Sequence, residues 1–576
     1  MLDDTPRLRR RGESFLRQVD VDGAAGELGV SPRTVELLAA RGVVDGVALR
    51  RALSPRLGDL RPPTSMAGFE AAVDLICTAR AKNRRIGVFG DYDVDGVASA
   101  AVLTESFETV GLDVVSRVAS REDGYGFTVG AAQRLCEAGA QVVVVGDCGT
   151  SDHEALGWLL SRGIESIVID HHQVPAEMPP AAAFINPHRE DCVFPFKGLC
   201  SAGVAFYLGA ALRTAVRRRE PSVQVADPRV LLDLVALATV CDMVPLVAEN
   251  RVLTHHGLRM LGARRRPGIE SLLARAKVPK TRPIDEEHVG FQLGPRLNAA
   301  GRLGSAQPAL DLLRSRSPAE AGPLSDRLEA LNTRRRLLQL QVVEQAERSL
   351  AEDPALGTGA AIVLADARWA HGVVGIAAAG LVARFRRPVA VLAVDRGSAV
   401  ARGSVRSVTG VDVHAALATC SGLLTRFGGH AAAAGFSMPA HGVDAFRRAF
   451  AEAVQRQREA GAAETHIEEH DGALELAEVG SDLLAAVDAA RPYGIGFTAP
   501  QFLMSELRVA ARRTIKQQHV ALTLQRGPTR VEAIWFGSTA VGLEVGDRVS
   551  GLFAPAFDTY RNRVQLRVRS LWREPA

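Results

Sequence analysis

The 576-residue chain is short of several features that would settle its class at once. Its seven cysteines (Cys77, Cys136, Cys148, Cys192, Cys200, Cys241, Cys420) are scattered, and none forms a Cys-x-x-Cys pair. An odd, dispersed set in a long chain fits reduced thiols rather than a disulfide framework, and no cysteine ligand set for zinc appears. No apolar run approaches a membrane span, so no membrane is expected as a partner. Met1-Leu2-Asp3-Asp4, followed by Arg9-Arg10-Arg11, lacks the apolar core of a signal peptide, and the expected location is the cytoplasm. No fixed-period repeat or low-complexity tract stands out. Neither sign of charge dominates: 69 Lys+Arg against 65 Asp+Glu leave a net charge of +4. That balance permits nucleic acid as a partner without requiring it.

What is present is an ordinary globular balance, 47% hydrophobic and 23% charged, in a length sufficient for about three or four domains. Residues 1–80 read as mostly helical, with Pro55, Pro62 and Pro63 in a linker, and carry no visible chemistry. The chemistry begins with strands that end in acid. Ile86-Gly87-Val88-Phe89-Gly90 runs into Asp91-Tyr92-Asp93-Val94-Asp95-Gly96 and then an apolar helix. Alternating acids in an extended loop point the same way, and three like charges this close repel unless a cation neutralises them. A solvated acidic turn would look similar, whereas an EF-hand is disfavoured because no closing Glu follows. Gln141–Val145 is a second buried strand, followed by Gly146 and Asp147. Ile167-Val168-Ile169 is a third, ending in Asp170-His171-His172. A partly buried, hydrogen-bonded His pair would explain that triplet as well as metal binding would. A fourth acid, Asp242, closes the apolar segment Leu231–Cys241.

Strands alternating with helices predict a parallel α/β sheet, and such sheets bind ligands beyond the carboxyl ends of their strands. Four acidic termini with two histidines make an oxygen-rich set that suits a pair of Mn²⁺ or Mg²⁺ ions better than zinc. Two such ions can activate water and stabilise the leaving oxygen of a phosphate ester.

In order and spacing, Gly90–Gly96, Asp147-Cys148-Gly149, Asp170-His171-His172 and Cys241-Asp242-Met243-Val244-Pro245 resemble the four acidic motifs of the DHH phosphoesterase superfamily. Within it, the chain is similar to RecJ-type single-stranded-DNA exonucleases from about residue 60 onward. The resemblance implies that Asp93, Asp95, Asp147, His171 and Asp242 hold metal, with Asp147 bridging two ions. It implies that His172 contacts the phosphate or acts as general acid, and that Asp91 and Asp170 orient ligands or bind directly. Departures are few: Val94 where Ala is usual, Gly146 where an aliphatic residue is common, and Ala370-His371 where the family tends to place His-Pro.

Further on, Gly294–Gly304 reads as a loop whose Arg296, Asn298 and Arg302 could grip phosphate. Leu324–Leu350, free of Gly and Pro, predicts a long connecting helix. A second α/β domain carries Ser404 and Arg406, then Gly428, Gly429 and His430, and resembles the DHH-associated domain that binds substrate. The tail from about 500 reads as short strands. Its basic run Arg561, Arg563, Arg567, Arg569, with Tyr560, Lys516, His519 and Trp535, resembles an OB-fold that grips single strands.

The expected architecture is therefore α/β: two α/β domains (DHH and DHH-associated) joined by a long helix, with a C-terminal OB-like β-barrel. Its boundaries are 1–80 for the helical segment, 81–265 for the DHH domain, 266–355 for the substrate loop and connecting helix, 356–455 for the DHH-associated domain and 456–576 for linker and barrel. The expected activity is metal-dependent 5′-to-3′ hydrolysis of single-stranded DNA in repair and recombination. Single-stranded-DNA-binding protein and a helicase are expected as partners. Two alternatives stand beside it: a phosphodiesterase for short oligonucleotides or cyclic dinucleotides, and a non-catalytic DNA-binding scaffold. The tail argues against the first and the complete ligand set against the second.

Overall fold

The acid-bearing strands do lie side by side. In the computed structural model, which describes residues 6–121, 124, 126–461, 467–516, 519–538, 542–558 and 561–574, five parallel strands form one sheet. Across it they run Val114–Val118, Ile86–Gly90, Val142–Gly146, Glu165–Ile169 and Ala183–Ile185. Val142–Gly146 and Ile86–Gly90 are buried throughout, which is why they read as continuous apolar runs rather than alternating ones. In chain order the pattern is 2-1-3-4-5, so the topological switch point falls between the strands that end before Asp91 and Asp147.

The chain divides into two compact units. The one holding this sheet comprises residues 62–242 and 257–464. It also contains a mixed sheet of order Arg426–His430, Ala433–Pro439, Val400–Arg406, Val389–Asp395, Ile362–Asp366. Between the sheets in sequence runs a 35-residue helix, Pro318–Glu352. It starts before Gly322 and Pro323, earlier than the Gly- and Pro-free stretch predicts. Ser317 caps it by accepting from the Glu320 amide, Pro318 occupies the first position, and Pro323 is tolerated inside.

The Gly294–Gly304 stretch is a difference from expectation. It is a helix, Gly294–Leu303, entered through a π-helical turn at Val289–Leu293. Its glycines serve close packing. A Cβ on Gly294 would lie 2.4 Å from Cys241 Sγ, and one on Gly301 2.3 Å from the Tyr92 carbonyl oxygen.

The second unit comprises residues 1–61, 243–256 and 465–576. Its strands Phe502–Ile515, His519–Arg526, Thr529–Phe536, Arg563–Arg573 and Arg548–Asp558 close into a barrel, in that order. The strands are longer than expected, up to 14 residues. Residues 1–61 complete its core: Val35, Leu37, Leu38 and Leu49 cluster with Phe502, Leu507, Val520 and Leu566. Arg7–Arg10 pairs in parallel with Ile467–His470, and buried Arg41 meets Asp471 at 2.8 Å. The N-terminal segment is thus divided, because the helix Phe69–Ala81 falls in the other unit. No helix among the described residues is long and apolar enough to cross a membrane.

Candidate metal centre

Each acid reaches the site by a different local device. Asp93 caps the helix Val94–Thr109, its Oδ1 accepting from the Gly96 amide at 3.1 Å, and Asp95 sits in that helix's first turn. Asp147 leaves its strand in a left-handed conformation, φ 64°, while its amide donates to the Ile169 carbonyl at 2.9 Å. A non-glycine residue there is strained, and such strain clusters at functional sites. Asp242 is the C-cap of the helix Leu232–Cys241.

Three of these acids, Asp95, Asp147 and Asp242, converge on His171, whereas Asp93 is in neither set of clustered ligand atoms. His171 Nε2 lies 3.4 Å from Asp147 Oδ1, 3.5 Å from Asp242 Oδ2 and 3.8 Å from Asp95 Oδ2, yet forms no hydrogen bond with any of them. Asp242 Oδ2 is likewise buried and unpaired. Asp147, His171 and His172 form one set of ligand atoms close enough to share an ion, and Asp95, His171 and Asp242 a second. Orphaned buried donors of this kind, mostly oxygen with a nitrogen minority, fit Mn²⁺ or Mg²⁺.

Electrostatics agree. Burial, then repulsion from Asp95 and Asp93, pushes the Asp242 carboxyl up to about 9. Burial and then Asp93 push Asp91 up to about 8, and Asp147 is driven well above the carboxylate range by burial, Asp95 and Asp93. The cluster cannot carry its full negative charge without cations. Asp170 behaves oppositely: despite burial, the hydrogen bond and charge of His172 hold it far below the usual range. Asp91 Oδ1 is buried and unpaired.

The remaining sequence candidates differ in their surroundings. Arg302 and Arg406 have no carboxylate partner among the described residues. Burial, then Arg121 and Arg335, pushes Arg302 down to about 10, and burial lowers Arg406. Ser404 and Arg406 share one face of the mixed sheet. A Cβ on Gly375, in the helix His371–Phe385, would lie 3.0 Å from an Arg406 guanidinium nitrogen and 3.1 Å from Ser404 Oγ. Register places Gly428 opposite Gly435 and Gly435 opposite Ser404; His430 likewise lies opposite Ala433, and Ala433 opposite Arg406. The Gly428–His430 segment is therefore roughly 10 Å, two strand spacings, from Ser404 and Arg406. Arg296 is engaged elsewhere, bound to Glu329 at 2.6 Å and to the Gln292 carbonyl at 2.7 Å. Asn298 follows Gly294 by four residues and precedes Gly301 by three, which puts it on the helix face turned toward Cys241 and Tyr92.

Sequence reasoning missed several neighbours. Arg121 stacks 4.6 Å over the Tyr92 ring and donates to the Gly301 carbonyl at 2.9 Å. Nothing in its loop signals this, because the contact crosses 180 residues of sequence. Asn186 donates to the His172 carbonyl at 2.9 Å. His371, already singled out in the sequence, opens its helix; burial, then Arg121 and Arg402, pushes its pKa down to about 4.

Three family models match the chain: "DHH family, N-terminal domain" over 85–239, "DHHA1 domain" over 358–456 and "RecJ OB domain" over 470–570. The single-stranded-DNA-specific exonuclease RecJ of Salmonella typhimurium is 34% identical over 90% of this chain and 90% of its own length. That of Dickeya dadantii is 37% identical over 85% and 86%. The crystal structure of Thermus thermophilus RecJ in complex with Mn²⁺ superposes with a TM-score of 0.81 at 27% identity, covering 99% of this chain and 80% of that one. A Mg²⁺ complex from the same organism gives 0.75 at 26%, over 99% and 78%. With this identity spread over nearly the whole sequence, and with all three domains in place, the chain belongs to the RecJ family of single-stranded-DNA-specific exonucleases.

Proposed function

We propose that the chain hydrolyses the phosphodiester bonds of single-stranded DNA from the 5′ end, in repair and recombination. The observation that carries this reading is His171 Nε2, buried and unbonded among three carboxylates at the sheet's switch point. Asp93, Asp95, Asp147, His171 and Asp242 are assigned as ligands, with Asp147 shared. Two Mn²⁺ or Mg²⁺ ions held there would supply an activated water and charge stabilisation at the leaving oxygen.

The protein's own groups do the rest. Asp170 orients His172, which holds a proton at Nε2 for the leaving 3′ oxygen, and Asp91 supports the first acidic turn. Arg302, Arg406 and Ser404 hold the terminal phosphate, since guanidinium forks without a carboxylate partner match its oxygens. Gly428, Gly429 and His430 lie beside them, Asn298 faces the reacting phosphate, and Arg296 braces the helix. The 5′ polarity rests on the family alone. In this division 81–265 hold the ions, 266–355 and 356–455 hold the strand's end, and 456–576 bind its length. The free state of all seven cysteines supports a cytoplasmic site of action, where single-stranded-DNA-binding protein and a helicase would supply the substrate.

The test uses single strands labelled at either end, with Mn²⁺, beside Asp147→Ala. Release of 5′ nucleotides from single but not double strands is expected. Asp147→Ala should lower the rate by about three to four orders of magnitude while strand binding persists. Activity in exhaustively chelated protein, or wild-type turnover in the variant, would overturn the assignment.

A further inference from the structure

We propose that Ser201 is a positioning residue for the metal centre, one that ties Asp147 and Asp95 together and decides which of their lone pairs face the ions. The proposal rests on the assignment of those two aspartates as ligands.

Ser201 is the first residue of the helix Ser201–Arg219 and is fully buried. Serine at a helix start ordinarily serves as N-cap, its hydroxyl accepting from an amide two or three residues on. Here Cys200 is the N-cap and makes no side-chain cap bond, so Ser201 stands one position later with its hydroxyl free for another role. That hydroxyl donates to Asp147 Oδ1 at 3.1 Å. Among the described residues it is the one neutral donor that reaches the Asp147 carboxylate. The cap itself comes from the first turn of a distant helix, Val94–Thr109. The Ser201 amide donates to Asp95 Oδ2 at 2.8 Å, and the Ala202 amide to Asp95 Oδ1 at 2.9 Å. These amides belong to the orphan set that every helix N-terminus must satisfy.

The consequence is stereochemical. An ionised carboxylate offers about four lone-pair sites on its two oxygens. Asp95 commits one on each oxygen to an amide, so each retains one for a cation. Asp147 commits one site of Oδ1 to the hydroxyl, and among the described residues Oδ2 meets no hydrogen-bond donor, which leaves enough sites to bridge two ions. The hydroxyl also selects one rotamer of a side chain whose strained backbone does not fix it. Outer partners of this kind typically alter metal affinity about 10- to 100-fold. Because both backbone amides persist in any variant, Ser201→Ala removes one hydrogen bond and leaves the helix cap whole.

The experiment is a calorimetric titration of Mn²⁺ into chelator-stripped, full-length wild type, Ser201→Ala and Ser201→Thr, with melting curves of the same stripped proteins. Wild type is expected to take up two ions. Ser201→Ala should bind at least one of them about tenfold or more weakly, with a stripped melting temperature close to wild type. Ser201→Thr, which keeps the hydroxyl, should recover the wild-type titration if it folds. If wild type binds two ions and Ser201→Ala follows the same curve, the positioning role is wrong and the assigned function stands. If wild type binds none, the ligand assignment fails and takes the positioning role with it. A weakened Ser201→Ala whose stripped protein melts far lower would show a structural role instead, and would equally overturn the proposal.

Discussion

Nδ1 of His172 lies 2.7 Å from Oδ1 of Asp170, an oxygen that also accepts from the amides of His171 at 2.7 Å and His172 at 3.2 Å. The contact turns Nε2 away from Asp170. Burial works against a charged ring, but the hydrogen bond and charge of Asp170, with Asp242 and Asp95 behind them, outweigh it and raise the His172 pKa to about 9. In the metal-free protein the imidazole therefore keeps its proton at neutral pH.

If the protonated ring serves the leaving oxygen, the rate should fall as pH rises through about 9. Asp170→Asn removes the main support of the charged form, so the alkaline limb should move toward the ordinary histidine value near 6.5. A pH–rate profile of both proteins checks this. An unmoved limb in Asp170→Asn would assign it to another group.

Chelated protein should lose stability as pH rises. Asp242 and Asp91 titrate near 9 and 8 when folded but near 4 when unfolded, so between those values the folded state binds more protons. The slope of unfolding free energy against pH is then negative, and this contribution declines from about pH 4 through pH 9. Mn²⁺ should relieve it, so the gap in melting temperature between loaded and chelated protein should widen with pH. A gap that is constant or narrows from about pH 5 to 9 would contradict the charge-frustrated cluster.

Arg406→Ala should reduce the preference for 5′-phosphorylated over 5′-hydroxyl strands by roughly ten- to a hundredfold, the scale of one charge-assisted hydrogen bond of about 1.5–3 kcal/mol. The measurement is the ratio of kcat/KM on the two substrates. An unchanged ratio would place the terminal phosphate elsewhere.

Truncating the barrel is a poor test of its role, because Leu37, Leu38 and Leu49 would lose their core. A surface change is cleaner. Phe536 is 55% exposed and packs edge-on to His519, with ring centroids 5.3 Å apart, so it offers a face for a base. Phe536→Ala should weaken binding to long single strands roughly five- to a hundredfold, at about 1–3 kcal/mol per stacked base, and leave short substrates unaffected. Equal affinity of both proteins for a long strand would remove the ring from the path of the DNA. Tyr560, the aromatic expected for this role, lies outside the described residues. The salt dependence contributed by this strand should be smaller than four arginines suggest. Glu532 already sits 3.5 Å from Arg561 and 3.6 Å from Arg563.

The sequence alone determined the parts of this protein whose physics is local. Buried parallel strands announce themselves as apolar runs, and an acid just after such a run stands at the sheet's binding edge. Asp93, Asp147, Asp170 and the two histidines could therefore be named before any coordinates. The long helix was legible for the same reason, through its periodicity. Only tertiary structure decided the rest. Gly294 and Gly301 looked like loop glycines until Cys241 and the Tyr92 carbonyl were seen pressed against them. Arg296 looked like a phosphate grip until Glu329 claimed it. Ser201 and Arg121 carry no local signal, because their partners lie 54 and 180 residues away in sequence. The pairing of residues 1–61 with the barrel is likewise invisible along the chain. Apolar periodicity shows which face of a helix is buried, whereas the element that buries it is chosen by the fold as a whole.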